Sequence, residues 1–237
     1  MPCTIQSLWI GERLSVMEQL CIASFLHHGH SFHLYVYQDT AGIPAGTVVL
    51  DGNTVLPADR IFTYREHKTY AGFANFFRYK LLLEKGGWFV DADTICVKPF
   101  NFRKEYVFSS EGINGRKTVN VGAVKGPPGS PVMQYAWEAC ERMDTSELKW
   151  SQCGPTLMRQ AIEACALHDY VRPPEVFCPV HFSTWQDMLD PDKRWHFGPK
   201  TYAIHLWNEM WRRANQPKDA VYHPDCLYEQ LKKRYLV

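Results

Sequence analysis

The stretch Gly86-Gly87-Trp88-Phe89-Val90-Asp91-Ala92-Asp93 decides which fold this sequence predicts. Two glycines end a helical pattern, a short apolar strand follows, and two carboxylates spaced i, i+2 come at its end. Because side chains alternate along a strand, Asp91 and Asp93 are expected on the same face of a sheet. Two close carboxylates repel each other unless a positive charge lies between them. Hard divalent cations such as Mg²⁺ and Mn²⁺ prefer oxygen ligands, so the pair predicts a metal site of the kind that binds phosphates.

The patterns on either side predict an α/β architecture. Residues 71–85 give the strongest helical pattern, and they lead directly into the Gly-Gly stop. Upstream, the periodicity predicts the order β-α-β-β, and downstream it predicts further strands and helices without a repeat or a linker. We therefore expect one α/β domain with a mixed sheet flanked by helices. The other predicted strands cover residues 4–10, 32–37, 47–50, 95–97, 106–109, 119–124 and 202–207, and the other predicted helices cover 14–27, 131–143, 155–166 and 224–235.

Composition excludes several classes of protein. The chain has 237 residues, of which 46% are hydrophobic and 14% aromatic, so a packed core is expected rather than disorder. Lys and Arg (26) nearly balance Asp and Glu (25), which gives no electrostatic footprint for nucleic acid. No apolar run reaches the roughly 20 residues that cross a bilayer. The oligomeric state is not readable from the sequence.

The chain start and the cysteines bear on location. Residues 1–5 lack the charged and apolar regions of a signal peptide, so none is expected. The eight cysteines form no C-x-x-C pair, and their spacing predicts neither a zinc site nor a disulfide framework. We expect a cytoplasmic protein. The basic run Lys232-Lys233-Arg234 is most simply a solvated helix face, although it would also suit peripheral contact with the inner face of a membrane.

Residues 74–93 resemble the core signature of D-x-D glycosyltransferases with the GT-A fold. The string R-Y-K-x-L-x-x-x-G-G-x-x-x-D-x-D is similar to that of the "glycosyltransferase sugar-binding region" group, and Leu8-Trp9-Ile10-Gly11 looks like its first strand. The group includes yeast-type α-mannosyltransferases, α-1,4-galactosyl- and N-acetylglucosaminyltransferases, and clostridial glucosylating toxins. The resemblance implies one Rossmann-like GT-A domain over residues 1–237. Residues 1–100 would be its nucleotide-binding half, and 101–237 its acceptor-binding half with a C-terminal closing segment.

The resemblance also implies an activity. A hexose or N-acetylhexosamine would pass from a nucleotide sugar, with UDP favoured, to a saccharide or glycolipid acceptor. Mn²⁺ or Mg²⁺ would be the cofactor, and the anomeric configuration would be retained. No residue stands out as a nucleophile, which suits the front-face mechanism usually proposed for such enzymes. Polysaccharide biosynthesis is the implied setting.

By the same resemblance, the donor site takes residues from both halves. Trp9 would stack on the base, Arg78 would bind the sugar and diphosphate, and Asp93 would ligate the metal. Asn75 departs from the Asp that the family usually has there, which leaves the donor sugar open. The implied donor-binding residues are Trp9, Ile10, Asn75, Arg78, Phe89, Asp91, Ala92, Asp93 and Trp207; the implied catalytic residues are Asp91, Asp93, Arg78 and Asn120; the implied metal ligands are Asp93, Asp91 and His205.

Three further motifs have competing interpretations. Asn120 is either a residue under the donor sugar or a strand-edge residue beside a bulge at Gly122. Gly154-Pro155 is either a shaper of the acceptor pocket or helix punctuation. A metal site of His27, His28, His30 and His33 is disfavoured, because the segment spans a helix end and a strand start.

Two other functions remain as alternatives. Val90-Asp91-Ala92-Asp93-Thr94 also resembles the D-x-D-x-T signature of haloacid-dehalogenase-like phosphatases, in which Asp91 would be the nucleophile, Asp93 the general acid and Mg²⁺ the cofactor. That family places its triplet on the first strand, whereas three predicted strands come earlier here. The second alternative is a non-catalytic sugar-nucleotide-binding module, suggested by Asn75 and the eight tryptophans.

Overall fold

The computed structural model describes residues 3–113 and 116–236. The first two residues, on which the expectation about a signal peptide partly rests, lie outside this range. Eight strands form two sheets in the described chain. They are β1 (Thr4–Leu8), β2 (Ser31–Val36), β3 (Val48–Asp51), β4 (Gly87–Val90), β5 (Thr94–Cys96), β6 (Val107–Ile113), β7 (Arg116–Gly126) and β8 (Ala203–His205).

The main sheet is mixed. Its six strands have the order β3-β2-β1-β4-β7-β6, and β5 pairs with β8 in a separate two-stranded sheet. Strands β3, β2, β1 and β4 run parallel, whereas β7 is antiparallel to both β4 and β6. The register pairs Gln6 with Phe89, so the carboxyl ends of β1 and β4 meet at one edge of the sheet. In an open α/β sheet this edge is where ligands bind.

Helices cover both faces of the main sheet, and each face has its own apolar core. One core joins β1 and β4 to the first helix and the C-terminal segments, and the other packs the central helices against the opposite face. The predicted α/β sheet flanked by helices in one domain is therefore confirmed. The helices are α1 (Val16–His27), α2 (Ala71–Lys85), α3 (Pro131–Glu141), α4 (Leu157–Ala164), α5 (Asn208–Arg213) and α6 (Leu227–Tyr235).

Helix α2 is the most deeply packed of these elements. The helix predicted over residues 71–85 is present, and Lys80 and Glu84 on its more exposed side form an i, i+4 ion pair at 3.0 Å. Burial extends well beyond a stripe, because nine of the fifteen residues are buried, including Asn75 and Arg78. Gly86 ends the helix at φ 63°, and a side chain there would collide with Pro128. Polar groups inside such a helix need partners, and these partners build the site described below.

The segments around residues 152–166 and 202–213 differ from the predictions. Helix α4 begins at Leu157 rather than at Pro155, because a π-turn over Gln152–Thr156 precedes it and Gly154 has non-helical angles (φ −106°, ψ −116°). Strand β8 ends at His205 rather than continuing to Trp207. Trp207 adopts a left-handed conformation (φ 62°, ψ 49°) that breaks the strand and starts the unpredicted helix α5.

Burial of His30 makes the stability of the fold depend on pH. The ring is 3% exposed, and its Nε2 accepts the N–H of Phe100 at 2.9 Å. Burial lowers the pKa of His30 below its usual value of 6.5. Below about pH 6.5, His30 is therefore protonated in the unfolded chain but stays neutral in the folded chain. The free energy of unfolding consequently falls as the pH drops below this value.

We expect the His30→Gln substitution to weaken this pH dependence. Urea unfolding at pH 7.5 and pH 5.0 would measure it, with the exposed His196→Gln as the matched control. The control is expected to keep the wild-type difference between the two pH values. An unchanged difference in His30→Gln would contradict the assignment of the proton to this ring.

Candidate functional site

The two carboxylates converge through a turn. Strand β4 ends at Val90 and β5 starts at Thr94, so Asp91 and Asp93 do not alternate along one strand as predicted. The N–H of Asp91 donates to the carbonyl of Gly122 at 2.8 Å, and the N–H of Thr94 donates to the carbonyl of Asp91 at 3.0 Å. These bonds fix a tight turn whose two carboxyl side chains face one space. The predicted juxtaposition is correct, and the predicted reason for it is wrong.

Asp93 connects this turn to the C-terminal part of the chain. Its Oδ1 lies 3.1 Å from Nε2 of His205, and its Oδ2 accepts the backbone N–H of Asn208 at 2.7 Å. The pairing of Thr94 with His205 in the β5–β8 sheet sets this geometry. Burial opposes the charge on His205, but the Asp93 carboxylate outweighs it and raises the pKa of His205 well above its usual value. Burial likewise opposes the charge on Asp93, yet the imidazolium and the Asn208 N–H keep the pKa of Asp93 low.

Arg78 holds the other carboxylate. Its guanidinium forms an ion pair with Oδ1 of Asp91, and Nη1 donates to Oδ1 of Asn75 at 2.5 Å. The cation lies over the ring of Phe89, 4.6 Å from its centroid. Although Arg78 is only 1% exposed, its buried Nε has no hydrogen-bond partner among the described residues. The guanidinium is therefore fixed in direction and keeps one nitrogen, Nε, whose N–H has no partner in the described chain.

Gly122 and Asn120 of β7 form the floor of the site. A Cβ at Gly122 would lie 2.9 Å from Oδ1 of Asn120, 3.2 Å from Cε1 of His205 and 3.4 Å from Oδ2 of Asp91. Asn120 is held in place because its Oδ1 accepts the Gly122 N–H at 2.7 Å and the Ser109 hydroxyl at 3.2 Å. Gly122 is thus required for close approach. The irregularity predicted at Gly122 is also present, because the register of β6 with β7 shifts between the pairs Phe108–Val124 and Ser110–Val119, which flank this residue.

Asp91, Asp93 and His205 are suited to hold a divalent cation. One ligand atom from each lies within 4.8 Å of the others. In the described chain, no other group of three or more His, Cys, Asp or Glu residues brings its ligand atoms so close together. Two carboxylates and an imidazole suit Mn²⁺ or Mg²⁺ in charge and in hardness. The His205–Asp93 contact would be exchanged for metal contacts, with loss of the imidazole proton. The clustered histidines at positions 27–33 form no such group.

Two tryptophans lie at the borders of this site. Trp207 is buried, its indole N–H donates to the carbonyl of Val180 at 2.9 Å, and its ring centroid is 4.1 Å from that of His205. Trp9 and Ile10 follow β1 at the same sheet edge as Asp91, where Lys218 Nζ lies 5.7 Å from the Trp9 ring centroid. The buried Nε1 of Trp9 has no partner among the described residues. Ala92 lies at the centre of the carboxylate turn and is partly buried.

Asn75 has a second set of contacts that the sequence did not predict. Its Nδ2 donates toward Sγ of Cys153 at 3.8 Å, and a Cβ on Gly154 would lie 2.8 Å from that nitrogen. The Oη of Tyr64 is 3.0 Å from the same sulfur. The turn that carries Gly154-Pro155 therefore packs against Asn75, the neighbour of Arg78, rather than only punctuating a helix.

Glu111 of β6 is a further site residue that sequence reasoning missed. It pairs with Thr118 across the β6–β7 ladder, so it lies on the sheet face that also bears Asn120. Burial raises the pKa of Glu111, while charges on His205 and His181 oppose the shift. The sequence predicted that this strand ends at residue 109. Extending the prediction by two residues would have placed Glu111 on the same strand face as Ser109.

Comparisons with known proteins agree with this geometry. A family model described as "Glycosyltransferase sugar-binding region containing DXD motif" matches residues 15–109, and one described as "Alpha 1,4-glycosyltransferase conserved region" matches residues 144–235. The first includes Asp91 and Asp93, and the second includes His205 and Asn208. No curated protein matches the chain.

Solved structures are similar at low sequence identity. The PaToxG glycosyltransferase shares 14% identity with a TM-score of 0.51, over 99% of this chain and 85% of its own, which shows a shared fold. The apo-form glycosyltransferase GlyE of Streptococcus pneumoniae TIGR4 matches 73% of this chain and 46% of its own, with 12% identity and a TM-score of 0.39. A transferase mutant matches 71% of this chain and 87% of its own, with 10% identity and a TM-score of 0.48.

The phosphatase alternative loses its support here. Its signature requires the D-x-D triplet on the first strand, whereas Asp91 follows β4, and both family models describe glycosyltransferases. The same two models favour an enzyme over a non-catalytic binding module. No helix in the described ranges is long and apolar enough to span a bilayer.

Crowding at Gly122 generates a test of the site. We expect Gly122→Ala to displace Asn120, His205 or Asp91 and to weaken Mn²⁺ binding about tenfold or more, because sub-ångström changes in ligand positions are felt at metal sites. Mn²⁺-dependent stabilisation in thermal unfolding would measure the effect. Gly112→Ala in β6 is the matched control, since a Cβ there meets nothing within 4 Å. Equal Mn²⁺ responses in the two variants would contradict this geometry.

Proposed function

We propose that this chain, which belongs to the DXD-containing glycosyltransferases and has the GT-A fold, transfers a hexose or N-acetylhexosamine from a nucleotide sugar to a saccharide or glycolipid acceptor. UDP is the nucleotide we favour, and Mn²⁺ or Mg²⁺ the cofactor. The observation that carries the proposal is the convergence of Asp91, Asp93 and His205 beside the buried Arg78.

Asp91, Asp93 and His205 would hold the cation at the carboxyl end of β4. When bound, a divalent cation supplies positive charge that stabilises a diphosphate as the leaving group. The three side chains come from two distant parts of the chain, and the Asn208 N–H orients one oxygen of Asp93. This contact fixes the direction in which the other oxygen of Asp93, Oδ1, faces.

Arg78 would contact the donor directly. Its guanidinium is anchored by Asp91 and Asn75 and by the ring of Phe89, so it loses little freedom when it binds an anionic group. The Nε–H of Arg78 has no partner among the described residues, which supports a further hydrogen bond from it to the nucleotide sugar. We propose that Arg78 stabilises negative charge as the bond from sugar to diphosphate breaks.

Exclusion of water is the task we assign to Trp207. An activated sugar donor is hydrolysed if water reaches it, so the site must be closed during transfer. The Trp207 indole is buried beside His205 and is anchored to Val180, which places an apolar wall next to the ligand set. Helix α5 follows directly, so its movement would open and close this wall.

A thermal-shift screen of nucleotide sugars, with and without Mn²⁺, tests the proposal. A donor at about 100 times its dissociation constant would raise the free energy of unfolding by about 2.7 kcal/mol. We expect this stabilisation to require both the metal and the Asp93 carboxylate. Asp93→Asn keeps an oxygen for the Asn208 N–H but removes the charge, so it should abolish the response. The exposed Asp225→Asn is the control. The proposal fails if no nucleotide sugar stabilises the wild-type protein in a metal-dependent manner.

Retention of the anomeric configuration is a separate part of the proposal. Arg78, His205 and Asn208 engage Asp91 and Asp93, whereas Glu111, on the face that bears Asn120, forms no ion pair among the described residues. A front-face transfer needs no carboxylate nucleophile. We therefore expect Glu111→Gln to keep the transfer rate within about tenfold of wild type and to keep the α-anomeric product.

Product stereochemistry would be read by proton NMR and the rate by release of the nucleoside diphosphate. A β-linked product from an α-linked donor would contradict retention. A loss of activity of a thousandfold or more in Glu111→Gln, with folding intact, would indicate a covalent intermediate on this carboxylate instead of the front-face route.

The setting we propose is polysaccharide biosynthesis on the cytoplasmic side of a membrane. All eight cysteines are free, which supports a reducing compartment. Lys233 and Arg234 are exposed in the last turn of α6, whereas Lys232 forms an ion pair with Glu229. Two exposed cations support weak peripheral contact with anionic lipid, which sedimentation with phosphatidylserine vesicles would detect.

A further inference from the structure

We propose that Trp150 is the stacking platform for a sugar ring of the acceptor, a subsite that rests on the proposed function. Trp150 lies just before the π-turn over Gln152–Thr156 and is 37% exposed, more than any other tryptophan of the described chain. Five of the eight tryptophans are buried, as expected for so large an apolar ring. An exposed indole that is nevertheless held in place is a common feature of ligand-binding surfaces.

Three side chains from two other segments hold the indole. The ring centroid of Tyr64 lies at 5.3 Å and that of His67 at 5.1 Å, and both precede helix α2. The guanidinium of Arg213, in the last turn of α5, lies over the indole ring at 4.8 Å from its centroid. Glu209 fixes that guanidinium by accepting its Nε–H at 2.7 Å. The indole is thus oriented before any ligand binds, which lowers the entropic cost of stacking on it.

This platform is connected to both walls of the donor site. On one side, Tyr64 contacts Cys153, whose sulfur contacts Asn75, the neighbour of Arg78. On the other side, α5 begins at Asn208, whose N–H binds Asp93, and it ends at Arg213. Five residues of helix advance about 7.5 Å along its axis. Trp150 therefore lies at the rim, where the elements that carry the donor-site residues come together.

The chemistry of the rim favours a neutral sugar. The electron-rich face of an indole attracts the C–H groups on the apolar face of a pyranose, and the surrounding N–H groups of Arg213 and His67 can bind its hydroxyls. Glu209 forms ion pairs with both Arg212 and Arg213, so one carboxylate compensates half of the positive charge of these two side chains and fixes their direction.

Binding of simple glycosides tests the subsite without knowledge of the full acceptor. Methyl glycosides of glucose, galactose, mannose and N-acetylglucosamine would be titrated against the full chain with UDP and Mn²⁺ present, and binding would be followed by saturation-transfer NMR. We expect at least one glycoside to bind. Loss of an aromatic stacking partner corresponds to about tenfold or more in affinity, so Trp150→Ala should weaken binding by that factor.

Two variants separate stacking from general damage. Trp150→Phe keeps an aromatic face and should retain affinity within about threefold. Tyr135→Ala removes a similarly exposed ring on α3, away from this rim, and should change nothing. The proposal is overturned if none of the four glycosides binds, if Trp150→Ala binds as wild type does, or if a free nucleobase or an alkyl detergent competes for the ring better than any glycoside.

The thermal-shift response to UDP and Mn²⁺ distinguishes this proposal from the one it rests on. A normal response in Trp150→Ala together with unchanged glycoside affinity would refute the subsite and leave the donor site standing. Absence of the response in the wild-type protein would refute the proposed function, whatever the glycosides do.

Discussion

The carboxylate of Asp93 is the constraint on which the site depends. A buried carboxylate is costly unless its oxygens have partners, and Asp93 finds both of them in the C-terminal part of the chain, 115 residues away in the case of Asn208. One oxygen meets His205 and the other meets the first N–H of α5. The N–H groups in the first turn of a helix have no partner within the helix. By accepting one of them, the Asp93 carboxylate also caps α5. The contacts that bring Asp93 to His205 and those that place the start of α5 are therefore formed together.

A second buried charge, Arg78, organises the opposite side. It is carried by α2, and its only anionic partner among the described residues is Asp91. Together the two ion pairs hold the Asp91–Asp93 turn between α2 on one side and the β8–α5 junction on the other. Gly122 completes the arrangement from below, where any side chain would occupy the space that the carboxylates need. Each member of the site is thus held by a residue from a different element.

Local patterns predicted most of the elements because periodicity and glycine punctuation are local properties. The helix over Ala71–Lys85 and the strand before Asp91 are correct for this reason. Features set by distant contacts were missed. Trp207 was assigned to a strand, but its left-handed backbone is imposed where Asp93 binds Asn208. Glu111 was overlooked because only the pairing of β6 with β7 shows which face it shares with Asn120. The resemblance to known transferases supplied the partnership of Asp93 with His205, which no spacing rule could have provided.

Asn75 shows how a departure from a family pattern is absorbed by its surroundings. An amide has a different group at each end, and both are used: Oδ1 accepts from Arg78, and Nδ2 donates toward Cys153. A carboxylate here would present an oxygen acceptor to a sulfur that already contacts Tyr64, and it would add a second anion beside Asp91. With Asn75, the charge on Arg78 is balanced by one carboxylate instead of two. This corner of the site is therefore less negative than it would be with a carboxylate at residue 75. The orientation of the Asn75 amide thus depends on Cys153 and Gly154 as well as on Arg78.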